Sequence, residues 1–420
     1  MLRENKNLEY KRELSDTFLK TVSAFANYDG GTIVFGVDDD GLVVGVDNPK
    51  DLMLRIENKI NTTINPVPEF SLFLNEDKTV SLKIFEGAYK PYLYRAKAYR
   101  RADSSTVEVS RLEYGRLVLE GTNQSFEQLP AKNQNMKFSV LEEEMARALG
   151  IRGISKDVLK TLELFGDDFG YNNAAYLIAD KNDFAGVDAA RFGENINEFR
   201  ERRDFSGTSI LTQFHLSLEM FNRWYRYEVV KGSSRSVVQS IPEDAFRESL
   251  ANALVHRTWD VPAPIRISMY DDRLEVVSPG GLPSGISVEE YLDGKFSLLR
   301  NPILAGVFFR LGYIEKFGTG ITRIKYAYRA SVSQPQFVVR QQSVTVVLPT
   351  VTSKNDLEEN EQLVLGVLED GNPHSRTGIQ SRSGLGKDTT IRALNSLLKA
   401  KVISRTGAAR STTYKKVNAF

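Results

Sequence analysis

Two constellations in this sequence could do chemistry: a Glu-x-x-x-Asn-x-x-x-His series in the middle and three carboxylates near the start. Glu248, Asn252 and His256 are each four residues apart, so on a helix they share one face. A carboxamide one turn from a carboxylate suits a Mg-nucleotide. Asn252 can ligate Mg2+, which completes its octahedral shell with waters and phosphates, and Glu248 can orient or deprotonate an attacking water. Downstream, Gly280-Gly281 opens a loop and Gly318-Thr319-Gly320 begins a helix, whose free N–H groups can receive phosphate. Glu4, Glu9 and Asp39 come from two N-terminal segments. They could share a divalent cation whose bound water attacks a phosphodiester. Their spacing alone is a weak signal and better fits solvated carboxylates at a turn and a helix start.

Two stretches offer contacts to a polyanion. Residues 89–101 interleave Lys90, Arg95, Lys97, Arg100 and Arg101 with Tyr89, Tyr92, Tyr94 and Tyr99. Cations there can pair with phosphates while tyrosines stack on bases; the alternative is a hairpin whose tyrosines pack inward. Residues 371–420 carry ten basic side chains against one acidic, in a chain of net charge +1. A module that basic at one end of a near-neutral chain suggests a nucleic-acid partner. Lys387, Thr389, Thr390 and Arg392 begin a helical pattern there, and Arg405 and Arg410 flank a turn. The nearby Gly384-Leu385-Gly386-Lys387 is not a phosphate loop, because Ser381 and Asp388 stand where that motif needs Gly and Ser or Thr.

The elements that must carry these residues follow from periodicity and turn chemistry. Ser15–Tyr28 reads as a helix stopped by Asp29-Gly30-Gly31, Thr32–Val37 as a buried strand, Asp38–Gly41 as a turn and Leu42–Val46 as a second strand. This is an α+β module. Ala245–His256 reads as a helix with Phe246, Leu250, Ala253 and Leu254 inward, followed by strands Ile265–Tyr270 and Arg273–Ser278. At the C-terminus, helices Glu358–Glu369, Thr377–Ser383 and Lys387–Ala400 precede strands Lys401–Arg405 and Thr412–Val417. That is the layout of a winged helix-turn-helix, whose third helix, with Ile391, Leu394 and Leu398 inward, meets the major groove of duplex DNA. Polar stretches near 121–135 and 350–355 set domains at 1–125, 136–350 with a core at 241–330, and 356–420.

Composition narrows the rest. A chain of 420 residues should hold about two to four domains. With no cysteine and three histidines, disulfides, thiolate zinc sites and cysteine nucleophiles are excluded. No apolar run reaches about 18 residues, and Met1–Lys6 lacks a signal-peptide core. A cytoplasmic protein without a membrane partner is expected.

Two resemblances add to this reading. Asn7–Arg12, Ser23–Gly31, Phe35–Gly41 and Lys90–Thr106 resemble the Schlafen/AlbA-like DNA-binding domain, which implies association with nucleic acid. Some Schlafen relatives are ribonucleases using two glutamates and one aspartate, which by position match Glu4, Glu9 and Asp39. Arg247–Arg257, Val277–Pro283, Leu299–Ile303 and Tyr313–Ile321 resemble the ATPase fold of gyrase and histidine kinases, in the divergent branch fused behind AlbA-like domains in transcriptional regulators. That implies a Bergerat-type α/β sandwich taking Mg2+ and ATP or ADP, with Glu248 catalytic, Asn252 on the metal, and His256, Gly280, Gly281, Gly318, Thr319 and Gly320 around the nucleotide. One departure stands out. The fold's Asp-x-Gly-x-Gly turn is here Ser278-Pro279-Gly280-Gly281, with no carboxylate for a charge-assisted bond to the adenine amine. The combined expectation is a multi-domain α+β transcriptional regulator that binds duplex DNA, with room for a homo-oligomer. Its rivals are a metal-dependent ribonuclease acting on RNA and a weak ATPase switch.

Overall fold

The computed structural model describes residues 4–38, 40–231, 234–283, 286–294, 298–315, 318–351, 357–399, 402–407 and 412–416. The protein is mixed α+β and multi-domain. It divides into two compact units, Met1–Ser125 and Phe126–Phe420.

The first unit is built on a four-stranded sheet in the order Leu8–Lys11, Gly31–Phe35, Val80–Ile84, Phe70–Leu74. The first pair is parallel and the other two are antiparallel. The helix Phe18–Asn27 buries nine of its ten residues, and with Ile56 and Ile60 of the helix Pro49–Thr63 it covers Ile33, Phe35 and Leu82 of the sheet. Phe18 meets Phe35 edge-on at 5.6 Å, a favoured aromatic geometry. The expected strand at Leu42–Val46 is instead a loop with a single bridge, Val37 to Val43. Gly41 and Gly45 take φ of +77° and +72°, outside the β region, and the Asp38 carboxylate accepts from the amides of Asp40 and Leu42, an Asx-type turn that competes with strand pairing.

In the second unit a six-stranded sheet runs Phe199–Asp204, Val187–Phe192, Ile265–Met269, Arg273–Pro279, Ser343–Pro349, Gln336–Arg340. Only Val187–Phe192 and Ile265–Met269 pair in parallel. Alternate residues (Val187, Ala189, Ile265, Ile267, Leu274, Val276) enter one large core with Phe214 and Phe221 of the helix Ile210–Tyr225 and Phe246, Leu250 and Leu254 of the helix Glu243–His256. Phe221 stacks on Phe246 at 4.5 Å.

A separate core gathers the C-terminal residues: Val364, Leu365 and Leu368, Ile379, Leu394, Leu397 and Val402. Its helices are Glu359–Val367, Arg376–Ser383 and Lys387–Lys399. Its strands Ile403–Thr406 and Thr413–Lys416 are joined by a third, His374–Ser375, that periodicity over two residues cannot signal. No helix among the described residues is long and apolar enough to cross a membrane.

Candidate functional site

The helix Glu243–His256 buries Ala245, Phe246, Ser249, Leu250 and Ala253 against the sheet, and this turns Glu248, Asn252 and His256 toward a cavity. Gly280, Gly281, Gly318 and Gly320 line the same cavity, with Ser278, Tyr291 and Glu315. Thr319 caps the helix Gly320–Ala327 but is not on the cavity wall. The cavity, about 140 Å³, is about ten times what one water needs; the wall residues do not collapse onto one another.

Asn252 Nδ2 donates to Glu248 Oε1 at 3.1 Å. Burial pushes the Glu248 carboxyl above its usual range, against the Asn252 bond and the Arg323 and Arg247 charges, which pull it down. His256 is driven the other way. Burial first, then the Arg300 guanidinium, lowers its imidazole to about 4, so it is neutral at pH 7. A Cβ on Gly320 would stand 2.6 Å from both Asn252 Nδ2 and Glu248 Oε1. Glycine lets that helix start lie against the pair without displacing either side chain. At the other end Gly280 has φ +100°, and a Cβ there would overlap Thr258 Oγ1 at 2.0 Å.

Two residues that motif spacing did not single out hold these walls in place. Arg300 donates to His256 O at 3.3 Å and to Gly281 O at 2.9 Å, tying the end of the helix to the glycine turn. Asn301 Nδ2 donates to Val255 O and Arg257 O at 2.7 and 2.9 Å, satisfying carbonyls that every helix end leaves open. The signal available in the sequence was a polar pair directly before Pro302.

The fit to a Mg-nucleotide differs between the two ends. Glu248, Asn252 and the start of the helix Gly320–Ala327 offer one carboxylate, one carboxamide and backbone N–H groups, a set that suits a Mg-phosphate bound mostly through its own waters and oxygens. At the Ser278 turn no carboxylate lines the cavity, and the Ser278 hydroxyl is spent on Ala253 O at 3.2 Å.

The carboxylates of the first unit are engaged within the fold. Glu9 is buried; it accepts from Thr21 Oγ1 and pairs with Lys11 Nζ, both at 2.8 Å, and pairs with Arg101. Glu4 Oε1 accepts from the Tyr10 amide at 2.8 Å. Asp39 lies outside the described residues. Among those described, no group of three His, Asp or Glu side chains is placed to hold a metal.

The basic aromatic stretch corrects its expected role. Tyr92, Tyr94 and Tyr99 are buried and so unavailable to stack on bases, whereas Tyr89 is exposed. Lys90 is buried between Glu86 and Glu120, each at 2.6 Å, and Arg101 is buried on Glu9, so neither can meet phosphate. Lys97 pairs with Glu108 at 2.7 Å, Arg100 with Glu113 at 3.0 Å and Arg95 with Asp16 at 3.8 Å, all at the surface.

At the C-terminus Lys387, Arg392 and Arg405 are exposed and Thr389 is half-buried. Thr390 is corrected: it is fully buried, its hydroxyl bonded to Gly386 O at 2.9 Å. Arg410 lies outside the described residues.

Comparison with known proteins agrees with this geometry in part. Residues 4–110 match the family described as "Schlafen, AlbA_2". Residues 263–348 match the family described as "Putative ATP-dependent DNA helicase recG C-terminal", a stretch that includes the glycine turn and begins after the Glu248–Asn252 helix. The solved structure of the DIP2311 protein from Corynebacterium diphtheriae is similar over 99% of this chain and 92% of that one, at 19% identity and a TM-score of 0.49. No curated protein matches. A Schlafen AlbA domain is compatible with nucleic-acid binding. The chain thus carries an AlbA-like domain of the Schlafen AlbA_2 type and an ATPase-like domain.

Proposed function

We propose that this protein is a transcriptional regulator that binds duplex DNA through a winged helix-turn-helix at residues 356–420, with the Glu248–Asn252 cavity taking a Mg-nucleotide as effector. The observation that carries the reading is where uncommitted positive charge sits. Of the expected cations of the N-terminal unit, Lys90 and Arg101 are buried on Glu86, Glu120 and Glu9, Lys97 and Arg100 pair with Glu108 and Glu113, and Arg95 lies 3.8 Å from Asp16, which also binds Lys59. Lys387 and Arg392 on the third C-terminal helix are exposed, and among the described residues no hydrogen bond or ion pair occupies them. Exposed, unpaired cations at the start of such a helix are what phosphate and base-edge contacts require. When bound, Mg-nucleotide would be held by Asn252 and the Gly320 amide end, with Glu248 positioned to orient water.

Fluorescence anisotropy with labelled duplex DNA and single-stranded RNA, each with and without Mg-ADP, tests this. Preferred binding of duplex, weakened by Lys387→Ala and Arg392→Ala, supports the reading. Equal binding of RNA with cleavage that Glu9→Gln abolishes would favour the ribonuclease.

A further inference from the structure

The two edges of the N-terminal sheet are finished differently. The Leu8–Lys11 edge is covered by the residues before it. Asn5 and Leu8 exchange backbone bonds at 3.0 and 3.3 Å, the Tyr10 amide is capped by Glu4, and the strand carries Glu9 and Lys11. Charge and cover are the usual means of blunting an edge. The opposite edge, Phe70–Leu74, reads Phe-Ser-Leu-Phe-Leu, with neither charge nor proline.

The hydrogen-bond phase of that strand is fixed by the bonds flanking it. Phe85 N donates to Glu69 O and Asn75 N donates to Thr79 O, in the register that pairs Ser71 with Lys83 and Phe73 with Ser81. Bonded pairs alternate in an antiparallel ladder. Ser71 and Phe73 therefore bond inward, and Phe70, Leu72 and Leu74 aim their N–H and C=O groups out of the sheet.

Apolar surface continues past the strand end. Phe73 and Leu74 are 52% and 50% exposed, and Leu42, Val43 and Val44 are 60%, 55% and 49% exposed. The Val46 amide donates to Lys78 O at 3.0 Å, which places the Leu42–Val44 loop at the end of the sheet where Phe70–Leu74 runs out. Consecutive exposed aliphatics of this kind mark an interaction surface.

We infer that two copies of this chain associate through this edge, their Phe70–Leu74 strands pairing antiparallel about a two-fold axis at Leu72. In that register Leu72 faces Leu72 of the other copy, Phe70 faces Leu74 and Ser71 faces Phe73. Every outward N–H and C=O group of the strand finds a partner. The pairing uses the same patch on both copies and closes on itself, as a two-fold interface must. The strand carries no charge with which to select a foreign segment, and its apolar residues at both ends complement themselves when reversed. This dimer stands independently of what the protein binds.

Sedimentation equilibrium on the full chain, with two substitutions, tests it. Phe73→Lys sets lysines beside the partner strand at an already exposed position; dimer affinity should fall at least about tenfold with the circular dichroism spectrum unchanged. The chain has no cysteine, so Leu72→Cys introduces a single thiol. Facing bonded residues lie about 5.5 Å apart, within disulfide reach, so mild oxidation should yield a covalent dimer, and Leu54→Cys on the helix Pro49–Thr63 should not. A monomer at every concentration reached overturns the inference. So does a dimer indifferent to Phe73→Lys that leaves Leu72→Cys uncrosslinked.

Discussion

Glu9 and Arg101 show what a single residue can conceal. In the sequence each looked available, one to a metal and the other to phosphate; in the fold they meet, with side chains 5% and 3% exposed. Alternation along residues 89–101 revealed a strand-like pattern but not which face turns inward, since a period of two fits either assignment. Removing one member of a buried pair leaves the other charge uncompensated, at a cost of about 3–5 kcal/mol. Glu9→Gln should therefore destabilise the N-terminal unit by about that much in urea denaturation. A variant as stable as wild type that loses RNA cleavage would instead make Glu9 catalytic. His256 carries a second residue-scale prediction. Its imidazole is lowered to about 4, whereas in the unfolded chain it takes a proton near its ordinary value of about 6.5. The unfolded state thus binds more protons between those values. The stabilising contribution is fully present above about pH 6.5 and is lost as pH falls toward 4. Denaturation midpoints measured across that window should fall less steeply for His256→Gln than for wild type.

At the scale of elements, long periodic helices were the most legible features and short turn-rich segments the least. The spacing of Phe246, Leu250 and Leu254 located the Glu243–His256 helix and the face that carries Glu248 and Asn252. The Leu42–Val46 segment failed because left-handed glycines precede it at Gly41 and interrupt it at Gly45. The third C-terminal helix was found, but its buried stripe is Thr390, Ala393, Leu394 and Leu397, with Ile391 and Leu398 at the flanks. Lys387 and Arg392 still point outward. Arg300 and Asn301 lay within the Leu299–Ile303 resemblance, but their roles were not legible, because their partners are carbonyls 19 to 46 residues away and backbone atoms leave no trace in residue type. The Gly320 helix start yields a sharp test. Gly320→Ala sets a methyl 2.6 Å from Asn252 Nδ2 and Glu248 Oε1, so these side-chain ends must shift. Calorimetry with Mg-ADP should show binding to wild type weakened at least about tenfold by Gly320→Ala and abolished by Asn252→Ala. Equal heats for all three proteins would separate the cavity from nucleotide. The buried Glu127 carboxylate supplies a stability test of the same unit. It accepts from the amides of Ile303 and Leu304 at the start of the helix Pro302–Arg310, and Glu127→Ala, which orphans both, should cost about 2–4 kcal/mol.

Across the whole molecule, charge was legible as a total and misleading as a location. Basic residues are numerous at both ends, yet those expected to bind in the N-terminal unit are paired within it, while the third helix at the C-terminus keeps Lys387 and Arg392 free of described partners. The central claim is that this C-terminal helix is where duplex DNA is held. Its most direct test is the salt dependence of duplex affinity, compared between the full chain and the Lys387→Ala/Arg392→Ala double variant. Each phosphate neutralised contributes about −0.9 to the log–log slope. The account predicts steep salt dependence for wild type and a slope shallower by about 0.9 for each of the two cations that meets phosphate, with a change in sequence preference where Arg392 reads a base. Salt-independent binding, or identical slopes and preferences for the two proteins, would contradict it.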